Sequence, residues 1–339
     1  MYSEKMNVPE HSDIRKIDIG RIGEQAAALR QTVRSVFVAP DETIDLVIIA
    51  LFSGLHLLVE DIPGVGKTTV ARALAAAAGM DFGRIQCTPD LLPGDVTGMY
   101  IWDPASGVFR FRQGAVMHQF LLVDELNRAS TRTQAALLEA MQEGGVTVDD
   151  VTHPLPKPFF VFATENPATF AGTFGLPESQ LDRFGLRVSF GYPARDDERE
   201  ILSRPIEPFV SDSITPVCTP EMISEIRGAV ESIHVDAKVA DFIIDLLSRT
   251  RTSGLVRLGA SPRAGMHLQH AARTRALLAG RSFVQPEDVT SMAEPVLAHR
   301  IQPSAEARME QQSAGRIISS IVSRLPMPAG VPSASGSGR

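Results

Sequence analysis

The clearest chemical signal in the sequence is a glycine-rich segment that can bind phosphate. It reads Pro63-Gly-Val-Gly-Lys-Thr-Thr69, and it lies between an apolar run and an alanine-rich run. Glycines let backbone N–H groups close on phosphate oxygens, and the start of the following helix favours negative charge. Lys67 can reach the β- and γ-phosphates, and the Thr68 hydroxyl can bind Mg²⁺. The residues predicted to bind nucleotide phosphates are Pro63, Gly64, Val65, Gly66, Lys67, Thr68 and Thr69.

This segment departs from the usual phosphate-loop pattern at one position. The pattern begins with a glycine, and the chain has Asp61 there. A plain turn between strand and helix would also use glycines. The order of the flanking and following elements favours a phosphate site over a plain turn.

A second signal is the apolar run Phe120-Leu-Leu-Val-Asp-Glu125, which ends in two carboxylates. A carboxylate at the carboxyl end of a parallel strand faces the crevice where ligands bind. We predict that Asp124 binds Mg²⁺ with Thr68, and that Glu125 orients the attacking water as general base. The alternative is that either carboxylate caps the next helix, but Thr131-x-x-Gln134 predicts a capping box for that helix.

The nucleotide is predicted to be ATP with Mg²⁺. A GTPase would carry an Asn-Lys-x-Asp motif that reads the base, and the sequence contains none. Together, the phosphate loop and the acidic strand end predict an ATPase.

The elements that must hold these side chains alternate up to about residue 195. Apolar runs at 55–60, 83–87, 120–124, 159–164 and 184–190 alternate with helical stretches, which is typical of a parallel sheet covered by helices. Beyond residue 195 the apolar spacing is helical, and Ser261-Pro262 and Gln285-Pro286 are typical helix starts. The predicted fold class is α/β, a P-loop parallel sheet domain flanked by helices and followed by a smaller all-helical lid domain.

The predicted domain limits follow this change of pattern. They are a mobile N-terminal segment (1–20), a nucleotide-binding domain (21–195), a linker (196–212), a helical lid (213–325) and a disordered tail (326–339). The linker is centred on the proline-bearing residues 204–208.

Composition excludes several classes of protein. The 339 residues carry a net charge of −7, which makes nucleic acid an unlikely partner because phosphate backbones attract basic surfaces. We expect a cytoplasmic protein with no membrane span, because the N-terminus has no apolar signal core and the run 44–59 is interrupted by polar residues. Cys87 and Cys218 lack metal-site spacing and predict reduced core residues.

Over residues 30–315 the chain resembles the AAA+ ATPases, and within them the MoxR type. Four motifs carry the resemblance: Val123-Asp-Glu-Leu-Asn-Arg128, Ala163-Thr-Glu-Asn-Pro167, Leu176-Pro-Glu-Ser-Gln-Leu-Asp-Arg-Phe184 and Gly259-Ala-Ser-Pro-Arg263. The segment Val36-Phe-Val-Ala-Pro40 is similar to the family's adenine-flanking segment, with Ala39-Pro40 in place of the usual Gly-Gln.

The resemblance implies roles for further residues. Asn166 matches the sensor-1 asparagine, which can hold the water or the γ-phosphate. Arg183 matches the arginine finger that reaches a neighbouring subunit's ATP, and Arg187 could share or take that role. The alternative for Arg183 is a surface ion pair with Asp182 or Glu178. Arg263 matches the sensor-2 arginine, which contacts bound nucleotide.

A finger that acts between subunits implies a homo-oligomer, in this family most often a hexameric ring with ATP at the subunit interfaces. Residues 93–113 and 144–158 resemble two family insertions that form hairpins facing the pore or the upper surface. The implied function is a chaperone-like remodeller of a partner protein, typically one with a von Willebrand factor A domain. The alternatives are the motor subunit of a chelatase-like complex, a DNA-remodelling protein, or a scaffold that binds ATP without turnover.

Overall fold

The computed structural model describes residues 19–166, 175–203 and 214–331. Its central sheet has five strands, and all neighbouring pairs are parallel. In chain order the strands are β1 (Leu57–Glu60), β2 (Phe82–Gln86), β5 (Phe120–Asp124), β8 (Phe160–Glu165) and β9 (Leu186–Val188). They lie side by side in the order β2-β5-β8-β1-β9.

Helices cover both faces of the sheet and form the lid. Those before residue 204 are α1 (Ile19–Val36), α2 (Asp41–Ser53), α3 (Lys67–Ala77), α4 (Pro93–Thr97), α5 (Thr131–Glu143), α6 (Glu178–Leu181) and α7 (Arg195–Ser203). The lid contains α8 (Pro220–Ser232), α9 (Ala237–Thr252), α10 (Pro262–Leu278), α11 (Pro286–Leu297), α12 (Ala305–Met309) and α13 (Ala314–Arg324). The short strands β10 (Val256–Leu258) and β11 (Gln302–Pro303) pair within it. The predicted α/β fold with a helical lid is confirmed.

Alternation along the strands divides the core between the two faces of the sheet. Leu57 and Val59 enter a large cluster that also contains residues of α1, α2, α3 and the lid helices. Leu58, between them, enters a smaller cluster with residues of α5. Successive strand side chains point to opposite faces, so a four-residue strand contributes to both. The lid therefore packs against one face of the sheet through a continuous apolar core.

Both predicted insertions are hairpins. One is β3 (Gly98–Asp103) paired with β4 (Val108–Gln113), and the other is β6 (Gly145–Val148) paired with β7 (Val151–Pro154). They touch where the ring of Phe111 stacks on His153 at a centroid distance of 3.7 Å. Trp102 and Phe109, at the far end of the first hairpin, remain exposed.

One predicted helix start is wrong. The hydroxyl of Ser130, not that of Thr131, accepts the N–H of Thr133 at the start of α5. The residue directly before the first helical residue can accept a backbone N–H that has no partner within the helix. The cap is therefore Ser130, one position before the predicted Thr131.

Several predicted segments lie outside the described residues. These are most of the N-terminal segment (1–18), the later part of the linker (204–212) with the first residue of the lid (213), and the end of the tail (332–339). Within the tail, the carbonyl of Ala329 accepts a hydrogen bond of 2.8 Å from the amine of Lys238. The domain limits stay predictions.

Candidate functional site

The phosphate loop leaves the carboxyl end of β1, a central strand of the sheet. Gly64 and Gly66 have φ angles of +90° and +86°, which a side chain would strain. A Cβ on Gly66 would also lie 2.9 Å from the ring of Phe37, in the connection between α1 and α2. The connection predicted to flank adenine therefore packs directly against the phosphate loop, and its adenine contacts stay a prediction.

Helix α3 begins at Lys67 without a side-chain cap. By contrast, Ser130, Thr219, Asp236 and Ser261 cap α5, α8, α9 and α10 with side-chain oxygens. The first N–H groups of a helix have no partner within it, and together with the helix dipole they favour an anion. The loop and the start of α3 therefore fit the phosphates of a nucleotide.

The side chain of Lys67 is buried and points back across the loop. Its amine donates to the carbonyl of Asp61 at 2.6 Å and to Oδ1 of Asn166 at 3.2 Å. Burial lowers the pKa of Lys67, while the negative charges of Asp61, Asp124 and Glu125 act to raise it. The amine therefore sits among acceptors at the place where a phosphate would add negative charge.

Asp61, which departs from the loop pattern, connects the phosphate loop to the chain beyond the edge strand β9 through its carboxylate. One carboxylate oxygen accepts the N–H of Ile62 at 2.9 Å. The other accepts the N–H groups of Phe190 at 2.6 Å and Gly191 at 2.8 Å, beyond the end of β9. A carboxylate replaces the glycine because the space contains backbone donors that need an acceptor.

Asp124 and Thr68, the two predicted Mg²⁺ ligands, lie close together, with 3.4 Å between the Thr68 hydroxyl and Oδ2 of Asp124. The other oxygen of Asp124 accepts the hydroxyl of Thr164 at 2.7 Å. A carboxylate and a hydroxyl fit Mg²⁺, which uses few protein ligands and fills its other positions with water and phosphate oxygens. The guanidinium of Arg84 lies 2.9 Å from Oδ2 of Asp124, so this cation shares the proposed metal-binding oxygen.

Glu125 follows in a left-handed backbone conformation, with φ 56° and ψ 49°. Such a conformation is uncommon for a residue with a side chain and typical of functional sites. Three donors hold its carboxylate: Asn166 Nδ2 at 2.8 Å, Gln86 Nε2 at 3.0 Å and Arg128 Nη1 at 3.1 Å. Because the amide of Asn166 also accepts from Lys67, one side chain joins the predicted base to the phosphate-binding lysine.

Sequence reasoning missed four residues of this cluster. The hydroxyl of Thr164 donates to the carboxylate of Asp124 and accepts the N–H of Glu125. The amide of Asn127 donates to the carbonyl of Asn166 at 2.7 Å. Arg84 and Gln86 alternate on the exposed face of β2 and reach the two carboxylates. Polar residues at alternate positions near the end of a strand that neighbours β5 were the available signal.

The predicted arginines lie elsewhere. Arg183 and Arg263 line a cavity of about 240 Å³ with Gly54, Leu55 and His56, which directly precede β1. The phosphate loop begins after the opposite end of β1, and a four-residue strand is roughly 13 Å long. The structure therefore brings Lys67, Thr68, Asp124, Glu125 and Asn166 together, and groups Arg183 with Arg263 at the amino end of the sheet. Arg263 does not reach the phosphate loop of its own chain.

The alternative of a surface ion pair for Arg183 is not what the structure contains. Its guanidinium donates to the carbonyl of Leu138 in α5 at 2.6 Å, while Asp182 pairs with Arg300 at 3.0 Å. Glu178 accepts from the amide of Gln302.

Arg187, the other candidate finger, lies apart from Arg183. It pairs with Glu60 at 2.6 Å and lines a separate cavity of about 930 Å³ between the ends of β1 and β9 and the lid helices α11 and α13. Its charge is therefore used within its own chain.

His267 and His270, spaced like metal ligands, make structural hydrogen bonds. Nε2 of His270 lies 2.9 Å from the carbonyl of Ser53, and Nδ1 of His267 lies 2.6 Å from the guanidinium of Arg300. The part of the chain that the structure describes contains no cluster of three or more histidine, cysteine or carboxylate side chains suited to a metal. None of the described helices is long and apolar enough to cross a membrane.

Known protein families match both the sheet domain and the lid. A family model described as "ATPase family associated with various cellular activities (AAA)" matches residues 56–186, and an "AAA lid domain" model matches residues 248–321. The chain is 41% identical to the uncharacterized protein YeaC of Bacillus subtilis, over 87% of this chain and 92% of that protein. It is 34% identical to Chaperone MoxR1 of Mycobacterium tuberculosis, over 87% and 80%. A crystal structure from Cytophaga hutchinsonii, described as an ATPase, superimposes with a TM-score of 0.80 at 33% identity, over 92% and 99%.

Proposed function

The chain belongs to the MoxR family of AAA+ ATPases, and on that premise we propose that it hydrolyses ATP to ADP and phosphate to remodel a partner protein. The observation that carries the proposal is the hydrogen-bonded path from Lys67 through Asn166 to Glu125. A protein that only bound ATP would have no need of a carboxylate tied to its phosphate-binding lysine.

In this proposal, the phosphate loop and the start of α3 bind the phosphates of ATP. The N–H groups of residues 64–69 surround the phosphates, and Lys67 exchanges its contacts with Asp61 and Asn166 for phosphate oxygens. Thr68 and Asp124 would hold Mg²⁺, which neutralises phosphate charge. Arg84 must then give up Oδ2 of Asp124 to the metal or share it.

In this proposal, Glu125 and Asn166 carry out the hydrolysis step. The carboxylate accepts a proton from the attacking water as general base, and the amide of Asn166 keeps that carboxylate aimed towards Lys67. Gln86 and Arg128 donate to Oε2 of Glu125, whereas Asn166 donates to Oε1. Two donors therefore fix Oε2, and Oε1 faces Asn166.

The arginines at the amino end serve the neighbouring subunit. In this proposal both Arg183 and Arg263 contact the neighbour's ATP, because both lie at the end of β1 remote from their own loop. Positive charge near the γ-phosphate stabilises the transition state of phosphoryl transfer. The active form is then a ring, proposed to be a hexamer, with ATP at its interfaces.

The proposed work of the ring is chaperone-like. One relative carries the name Chaperone MoxR1, and we propose the same type of action here, on a partner with a von Willebrand factor A domain. The exposed hairpin tip with Trp102 and Phe109 offers an apolar surface for protein contact.

The test is the change Glu125→Gln. The variant should bind ATP with Mg²⁺ as tightly as the unchanged protein, and its turnover should fall by about a hundredfold or more, since the amide cannot accept the proton. Phosphate release and equilibrium nucleotide binding measure the two effects. Glu139→Gln, an exposed change in α5, is the matched control and should leave turnover unaltered. Equal turnover of Glu125→Gln and the unchanged protein would contradict the proposed base.

With ATP bound and hydrolysis stopped, the Glu125→Gln ring should also hold its partner. Capture of a von Willebrand A-domain protein by this variant, and not by Lys67→Ala, would support the client assignment. Capture that does not depend on ATP would contradict it.

A further inference from the structure

Lid residues surround the segment Asp182–Gly185, which carries Arg183. The guanidinium of Arg300 donates to the carbonyls of Asp182 at 3.1 Å, Phe184 at 2.6 Å and Gly185 at 3.3 Å. Its Nε lies 3.0 Å from the carboxylate of Asp182. The Arg300 side chain is only 1% exposed, so this charge depends on partners within the protein, most of which belong to this segment; the carbonyl of Val296, at 2.7 Å, lies outside it.

Two more lid residues hold the same segment. Nε2 of His299 lies 3.0 Å from the carbonyl of Phe184, and its ring is buried. The hydroxyl of Ser261 lies 3.2 Å from both carboxylate oxygens of Asp182. Ser261 also caps α10, the helix whose second residue is Arg263. Asp182 therefore connects the segment Asp182–Gly185, called the finger segment below, to α10, the helix that carries Arg263.

His267 completes the arrangement. Its Nδ1 accepts from Arg300, and its ring lines the cavity with Arg183 and Arg263. Burial lowers its pKa to about 3, so the ring is neutral and able to accept this hydrogen bond near neutral pH. Burial also lowers the pKa of Arg300 to about 10, which leaves the guanidinium charged.

We propose that Arg300 is a positioning residue, which fixes the segment Asp182–Gly185 to the lid so that Arg183 and Arg263 face the neighbouring subunit together. This rests on the proposed function, in which Arg183 acts on the neighbour's ATP. A single guanidinium with several donors in one plane can hold three carbonyls and a carboxylate at once, and an ammonium cannot. The lid and the finger segment would then move as one body.

General attachment of the lid is a different role, and Arg227 provides it for comparison. This lid arginine in α8 donates to the carbonyls of Leu51 at 3.0 Å and Phe159 at 3.2 Å, and burial lowers its pKa to about 10 as well. Its contacts lie outside Asp182–Gly185. Arg227→Lys therefore removes a half-buried lid guanidinium, with fewer partners than Arg300, without touching the finger segment.

The experiment compares Arg300→Lys with Arg227→Lys in the full-length protein. Arg300→Lys should leave the Kd for ATP unchanged, because Lys67 and its loop lie at the other end of β1. It should lower kcat by up to about a hundredfold, the effect of a displaced catalytic group. Arg227→Lys should also lower thermal stability, because it removes hydrogen bonds from the lid to Leu51 and Phe159, and should leave kcat near that of the unchanged protein. Asp182→Asn, of equal size, should repeat the kcat loss and serves if Arg300→Lys does not fold.

Mixed rings separate positioning from damage to a subunit's own site. Lys67→Ala subunits do not bind ATP but carry an intact finger segment, so mixing them with Arg300→Lys subunits should raise turnover above that of either sample alone. The double variant Arg183→Ala/Arg300→Lys should be no slower than Arg183→Ala, because both changes remove the same contribution.

The outcomes distinguish the two proposals. If Arg183→Ala keeps full turnover, the proposed function of Arg183 fails. If Arg183→Ala loses turnover and is rescued by mixing while Arg300→Lys keeps turnover, only the positioning role fails. A kcat loss in Arg300→Lys that mixing does not rescue, or that Arg227→Lys shares, would also overturn the positioning role.

Discussion

The two ends of the central sheet gather their functional side chains in different ways. At the carboxyl end, Lys67, Glu125 and Asn166 each follow a strand closely and contact one another directly. At the amino end, Arg183 and Arg263 come from a connecting segment and from the lid, and they share a cavity. The first end brings together, within one chain, the groups proposed to bind the phosphates and Mg²⁺. The second carries positive charge remote from that chain's own phosphate loop.

This difference indicates how ATP hydrolysis would be divided. In the proposed function, ATP binding would need only groups that the sheet brings together, whereas full turnover would need the amino end of one subunit to meet the carboxyl end of the next. Changes at the carboxyl end should then act on the subunit that carries them, and changes at the amino end on its neighbour.

The largest expected effect is at the carboxyl end. Lys67→Ala should abolish detectable ATP binding and turnover, because it removes the buried amine from the centre of the loop. Equilibrium binding of a fluorescent ATP analogue measures this loss. Lys157→Ala, an exposed change outside the site, should bind normally. Binding retained by Lys67→Ala would place the nucleotide elsewhere in the molecule.

A smaller effect is expected from the two candidate fingers, which the structure separates. Arg183→Ala should keep ATP binding and lose about a thousandfold or more in kcat, and mixing with Lys67→Ala subunits should restore turnover. Arg187→Ala removes the pair with Glu60 within its own chain, so mixing should not restore what it loses. Steady-state phosphate release over a range of mixing ratios measures both. Rescue of Arg187→Ala instead of Arg183→Ala would exchange their roles.

The smallest effect is that of acid on two histidines at the amino end of the sheet. Burial lowers the pKa of His56 to about 4 and that of His267 to about 3, and both line the cavity with the arginines. Both pKa values fall on folding, so the stabilisation is complete above pH 6.5 and is lost as the pH falls towards the folded values. Each should cost about 2 kcal/mol of unfolding free energy between pH 7 and pH 5.

Denaturant unfolding at several pH values measures this slope. His267→Asn, which retains an acceptor for Arg300, should show a shallower dependence on pH than the unchanged protein. An unchanged slope would remove His267 from the acid-sensitive group.

Much of the carboxyl end could be predicted because its residues lie in contiguous motifs. The five sheet strands and the positions of Lys67, Asp124, Glu125 and Asn166 follow from apolar runs that end in polar residues. Parallel strands bring their carboxyl ends to one edge, so residues distant in sequence meet there without further information. The role of Asp61 could not be read in this way, because its partners Phe190 and Gly191 lie about 130 positions later.

Local spacing and strand order were enough to predict the α/β class, the phosphate loop, the acidic strand end and the family resemblance from the amino-acid sequence. The folded chain was needed to find that Arg263 lies near Arg183, that Arg187 is paired with Glu60, and that Arg300 contacts the finger segment. The contacts of Arg263 and Arg300 depend on where the lid packs against the sheet, whereas that of Arg187 depends on the pairing of β9 with β1. Apolar burial drives that packing and has no direction of its own, so the pattern of apolar residues shows which helix faces are buried without showing which surface they meet.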